Sequence, residues 1–313
     1  MLQRAREKAD EVVGPMLAGT LFLEEGSSQD RQQALNFMLD LLAGATDLPK
    51  GLVLLKHADR PLEKAALLSV VCVSAALLLQ DPHHAVFQSS ARLVRKYFGA
   101  SSLTKGVKKS LLAEGVSTVN SSLLSRMFGL CEDEAEEETP EDRSAVCATS
   151  LETMVSILKT GVVGLAAFLA QLFHYDVPPS SGGSSHPPPH VLDTKVDVFL
   201  HLLLAPLPPS SKVDWSSNAE LLEEATFLLA ECFQQGSPAG QRKALQICAE
   251  LQLQDVEVAS ALAPLVAKKE LQAVIAACEE ARSAGARPVV LQNQGRQDSL
   301  SSVSSATGSS EES

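Results

Sequence analysis

Aromatic residues are scarce in this sequence: Phe, Tyr and Trp together make up 4% of 313 residues, with two Tyr and a single Trp. Val and Ile occur, but Leu and Ala prevail, and no alternating run bounded by turn residues appears. That argues against β-sheet, which draws on β-branched and aromatic side chains at period two. Long apolar runs are also missing. The longest uncharged stretches, residues 65–80 and 160–175, are 16 residues each, short of the ~20 that a membrane span requires. Both read as buried core helices. The opening residues, MLQRAREKAD, contain no apolar segment of the secretory type. The six cysteines, Cys72, Cys131, Cys147, Cys232, Cys248 and Cys278, are scattered without a CxxC pair, so no zinc site is expected. A reducing, cytoplasmic setting follows, in which the Asn120-Ser-Ser acceptor triplet is silent.

Motifs that carry chemistry are absent too. There is no G-x-S-x-G, phosphate-binding G-x-x-x-x-G-K-[ST], H-E-x-x-H, G-x-G-x-x-G or EF-hand loop, so neither an enzyme nor a cofactor is expected. His83 and His84 have no partners at ligand spacing. His186 and His190 are separated by three prolines that forbid the helix needed to bring them together. Of the four, none is a metal ligand on this reading. His174 and Tyr175 read as the end of an apolar helix, and Trp215 as the anchor of a loop. The formal net charge of −12 argues against nucleic-acid binding, which needs clustered cations.

What the sequence has in abundance is helical periodicity. In residues 220–235 the apolar positions Leu221, Leu222, Ala225, Leu228, Leu229 and Cys232 form one stripe. The same stripe recurs over residues 32–42 and 269–282. Cys232, Cys248 and Cys278 fall on such stripes, where a free thiol packs as a small apolar group. Ser217, three residues before Glu220, has capping-box spacing. Asp81-Pro82, Thr139-Pro140 and Ser237-Pro238 each place a capping side chain before a proline suited to the first helical position. Gly14-Pro15 should break or kink the first helix. About 10–14 helices and an all-α fold are predicted.

Three segments interrupt the pattern. Residues 132–142 (EDEAEEETPED) hold eight acids and read as a solvated loop. Residues 177–190 are rich in Pro, Ser and Gly and read as an irregular loop. Residues 299–313 hold eight serines and read as a disordered tail. The organisation expected is a helical half over 1–130, an acidic linker over 131–143, a second helical half over 144–285 and a tail over 286–313. The chain begins inside a helical pattern without a cap, as a fragment or isoform of a longer protein would.

From Leu77 the sequence runs LLLQDPHHAVFQSSARLVRK. Asp81-Pro82 opens a helix, Val86 follows, Ser89 and Ser90 are small, and Leu93 and Val94 complete the apolar face. This unit resembles the inter-helix turn and inner helix of an armadillo- or HEAT-type repeat, with Phe87 where such repeats usually carry Arg. The resemblance covers about 35 residues and implies a helical solenoid of stacked helix pairs, in which small residues allow close crossings. An irregular helical bundle is the competing architecture.

Charge is the uneven feature. Between Pro82 and Ala113 there is no acid, while Arg92, Arg95, Lys96, Lys105, Lys108 and Lys109 supply six cations; the remainder of the chain carries −18. Arg92, Arg95 and Lys96 share one helix face by spacing, and Lys105, Lys108 and Lys109 are expected to share a face of the next helix. This basic patch suits an acidic or phosphorylated peptide of a protein partner, an anionic lipid surface, or the chain's own acidic run. Ser299 and Ser309 lie in kinase-like contexts. The leading expectation is a non-catalytic scaffold or adaptor that binds protein through a helical surface. The alternatives are a membrane-trafficking adaptor of the ENTH or VHS kind, touching lipid peripherally, and a helical lipid carrier whose cavity lies between residues 65–79 and 161–173.

Overall fold

Leu and Ala at helical spacing produce helices that carry apolar residues on more than one flank, and such helices bury themselves only by stacking. The structure, a computed structural model, describes residues 27–29, 31–32, 36, 68, 71–72, 75, 77–100, 104–129, 140–175, 189–254, 262, 266 and 268–283. The Gly14-Pro15 break, most of the acidic run, the loop over 177–188 and the serine-rich tail with Ser299 and Ser309 lie outside the described residues. No strand occurs among those described.

Among the described residues, eight helices have defined bounds: α1 (His84–Gly99), α2 (Lys109–Gly129), α3 (Pro140–Lys159), α4 (Leu165–Phe173), α5 (Pro189–Leu204), α6 (Ala219–Gln235), α7 (Pro238–Gln252) and α8 (Lys268–Ser283). They pack in two layers. In the first, α1, α3, α5, α7 and α8 each contact the next. In the second, α2 contacts α4 and α4 contacts α6. Across the layers α2 lies on α3, α4 on α5, and α6 on both α5 and α7. This alternation is an α-solenoid of armadillo/HEAT type, irregular in helix length. One continuous apolar core runs from Leu68 to Cys278.

The segment that carried the sequence resemblance sits where the solenoid requires. α1 buries Val86, Phe87, Ser90, Ala91, Leu93, Val94, Tyr97 and Phe98. Phe87 is fully buried, so the position that departs from the repeat pattern is a core side chain. Asp81 does not cap the helix after Pro82. Its carboxylate, 6% exposed, pairs with Arg31 at 2.6 Å and accepts the His83 N–H at 2.9 Å, and α1 begins only at His84. Gln32 donates to Ser89 Oγ at 2.6 Å, so the described residues of the earlier helix dock beside α1.

Close crossings use small residues. At Gly115 in α2, an added Cβ would lie 2.8 Å from Cys72 Sγ and 3.2 Å from Leu68 Cδ1. At Gly240 in α7 it would lie 1.9 Å from Asp193 Oδ1 of α5. That carboxylate accepts the Ser237 N–H at 3.1 Å, while Ser237 Oγ caps α7 by accepting Gly240 N–H. The cap foreseen at Ser237 is therefore present. The one foreseen at Ser217 is not: α6 starts at Ala219 after Asn218, and Ser217 Oγ donates to Asp214 Oδ2 at 2.7 Å. Asp214 also accepts Ser216 Oγ at 2.6 Å, and these hydroxyls hold its carboxyl below the usual range.

Much of residues 65–79, one wall of the carrier cavity foreseen, lies outside the described residues. Leu165, Phe168, Leu169 and Leu172 of α4 are buried, and Leu68 and Cys72 press on α2 at Gly115. We expect Gly240→Ala to destabilise the fold by about 1–3 kcal/mol through displaced Asp193. Gly129→Ala, which meets nothing within 4 Å, should be neutral or slightly stabilising. Paired urea melts check both; equal midpoints for the two variants would contradict the close crossing.

Candidate partner-binding edge

The basic residues predicted from sequence gather where α1 gives way to α2. Arg92, Arg95 and Lys96 lie on α1, as their spacing requires, with Arg92 exposed and the other two half-buried. The second trio does not share a helix face. Lys105 and Lys108 belong to the connecting turn, and only Lys109 enters α2. The reason is Gly106, whose φ of 88° reverses the chain in a conformation that favours glycine. The turn is closed by Val107 N–H donating to Thr104 O at 3.2 Å, and the buried Val107 side chain pins it to the core. Lys105, Lys108 and Lys109 stand exposed around that pin.

Of the six cations, Arg95 is engaged by an ion pair with Glu152 of α3. Arg92, Lys96, Lys108 and Lys109 have no ion-pair partner among the described residues. Two lysines therefore flank the N-terminus of α2, whose first turn contains no acid. The helix dipole places roughly half a positive charge at that end, so field and side chains add instead of cancelling. Leu111 beside them is 38% exposed, an apolar contact that charge patterning alone did not single out.

The acidic run springs from the opposite edge. Arg126, near the end of α2, donates to Pro82 O at 3.3 Å, which sets the end of α2 beside the start of α1. The Arg95–Glu152 pair sets the last turns of α1 beside the second half of α3, so α1 and α3 run the same way and Pro140 lies at the edge where α2 ends. The 21 residues of α2 span ~30 Å at about 1.5 Å each. The ten residues between Gly129 and Pro140 extend to roughly 38 Å at ~3.5 Å each. A loop anchored at both ends reaches out only about half its contour, ~19 Å. That reach takes in Arg92 and Lys96, about 12 and 18 Å along α1 from its start, and falls short of the backbone at Lys108 and Lys109.

Other residues singled out from sequence have structural duties. His174 closes α4, with its N–H donating to Ala170 O at 3.0 Å, its ring Nδ1 2.8 Å from the same oxygen and its Nε2 3.1 Å from Glu224. Tyr175 stacks on Phe128 at 4.8 Å. Trp215 is buried against Phe199. Asn120 is buried and donates to Gln171 at 2.7 Å. His190 is exposed on the first turn of α5. No group of three His, Cys, Asp or Glu among the described residues is arranged to hold a metal, and no described helix is long and apolar enough to cross a membrane.

The fold and this edge define a HEAT-like helical-repeat protein. Among solved structures the chain is similar to the TOG domain of human Cep104, with a TM-score of 0.51 and 16% identity over 88% of this chain and 93% of that one. The likeness is one of fold. No protein-family model and no curated protein matches the sequence.

Burial raises the thiols of Cys72, Cys232 and Cys248 to about 12, and that of Cys278, which also faces Glu250, to about 11. At pH 8 these groups stay protonated and shielded, and thiolate is the reactive form. We expect Cys232 and Cys248 of the native protein to react with a maleimide at least ~10-fold more slowly than half-buried Cys147, read by peptide mapping; equal labelling would show that the core does not close over them.

Proposed function

We propose that this protein is a non-catalytic helical-repeat scaffold, and that the edge between α1 and α2 captures an acidic segment of a protein partner. The observation that carries the reading is the set of cations without ion pairs among the described residues, Arg92, Lys96, Lys108 and Lys109, beside the acid-free N-terminus of α2. Like charge at that end works against the helix, at ~0.3–1 kcal/mol for each group. An arrangement that costs stability and has no ion-pair partner among the described residues suits an external anion. The exposed Leu111 favours a peptide over a bare polyanion, because a peptide supplies an apolar side chain next to its carboxylates. Long-range attraction would speed encounter and weaken with salt.

The test compares the wild type with a variant in which Arg92, Lys96, Lys105, Lys108 and Lys109 are changed to Glu. Arg95 is kept, because its pair with Glu152 is structural. A fluorescent peptide alternating Glu with Leu should bind the wild type, lose affinity steeply as salt rises, and bind the variant at least ~10-fold more weakly, by anisotropy. Recovery of the same cellular partners by both proteins would refute the reading, as would flotation of the wild type on anionic vesicles without peptide binding. Lys109→Glu alone should stabilise the protein by ~0.3–1 kcal/mol in thermal melts while weakening peptide capture. That opposition separates a binding role from a folding role.

A further inference from the structure

Far along the rod from the basic edge, a hollow of about 520 Å³ opens where the end of α5, the connection that follows it, and the ends of α7 and α8 meet. The volume lies within the ~300–1,000 Å³ typical of small-molecule sites. Leu165, Leu204, Leu207, Val213 and Trp215 form its apolar wall, with Leu165, Leu207 and Trp215 buried.

Three charged side chains complete the lining: Lys212, Glu250 and Arg282. The Glu250 side chain is 2% exposed and is paired with Arg282, so the acid is already neutralised. Lys212 is exposed and has no ion-pair partner among the described residues. The hollow therefore has a net positive rim over an apolar floor. Within the wall, the indole Nε1–H of Trp215 is buried without an acceptor, although the residue is only 6% exposed.

We propose that this hollow binds a small monocarboxylic acid with a short apolar body. The body lies against the Leu and Trp wall, and the carboxylate takes the uncompensated rim charge of Lys212. An amine of the same shape would face the Lys212 ammonium and gain nothing from Glu250, which Arg282 already holds. An alcohol would bury the same apolar surface without answering the charge. This site is separate from the partner-binding edge and does not depend on it.

The single tryptophan makes the test direct, because the full-length protein has one indole N–H resonance and one tryptophan emission. Titration with octanoate is expected to move both saturably. Octanol should bind at least ~10-fold more weakly, and octylammonium should give no saturable change. Lys212→Glu, an exposed site that leaves the Glu250–Arg282 pair intact, should weaken octanoate at least ~10-fold with an unchanged thermal midpoint. The proposal is overturned if octanoate causes no saturable change, if octanol binds as tightly, or if Lys212→Glu binds octanoate like the wild type.

Discussion

The two-layer stack depends on one constraint: helices of the first layer touch neighbours on both sides and a second layer behind, so their backbones must approach closely at defined points. Those points are occupied by small or compactly bonded residues. Gly115 admits Cys72 and Leu68, and Gly240 admits the Asp193 carboxylate. Ser90 is fully buried within α1. A side chain of ordinary size at any of these points would separate the layers and strip apolar surface from the core, where each fully buried Leu or Phe is worth about 1.5–3 kcal/mol. Electrostatics is fitted around this packing. The Arg31–Asp81, Arg95–Glu152, Lys243–Asp197 and Arg282–Glu250 pairs each join neighbouring elements of the first layer or its extension, and so reinforce register more than they supply stability.

Stacking also arranges charge. Alternate helices run in opposite directions, so the connections sort onto two edges of the rod. The turn between α1 and α2 carries lysines, while the connection between α2 and α3 carries the acidic run. A chain with a strong overall negative charge thus keeps exposed lysines at one edge. Helix length sets the distance between the two edges, since α2 alone spans ~30 Å.

Helix type and the repeat architecture were legible in the sequence because both depend on apolar period and on local signals. The stripe from Leu221 to Cys232 is buried as its spacing requires, apart from a half-buried Leu222, and Ser237-Pro238 caps α7. The failures occurred where a side chain had a stronger distant claim. Asp81 has the spacing of a cap, but Arg31, fifty residues earlier, takes its carboxylate. Ser217 has the spacing of a capping box, but Asp214 is nearer. The lysine trio has helical spacing, but the positive φ of Gly106 turns the chain between its members. The charge anomaly of the basic edge was readable because it is contiguous in sequence. The hollow around Trp215 was not, since its walls come from α4, α5, α7 and α8 and no local pattern marks their meeting.

The order of the layers has a mechanical corollary. α8 is held at the end of the first layer, resting on α7 and clasped through Arg282 to the buried Glu250. Each inner helix, by contrast, is gripped on two or three sides. Under tension, such a stack should not rupture at once; it should peel helix by helix, so that extension comes in helix-sized steps.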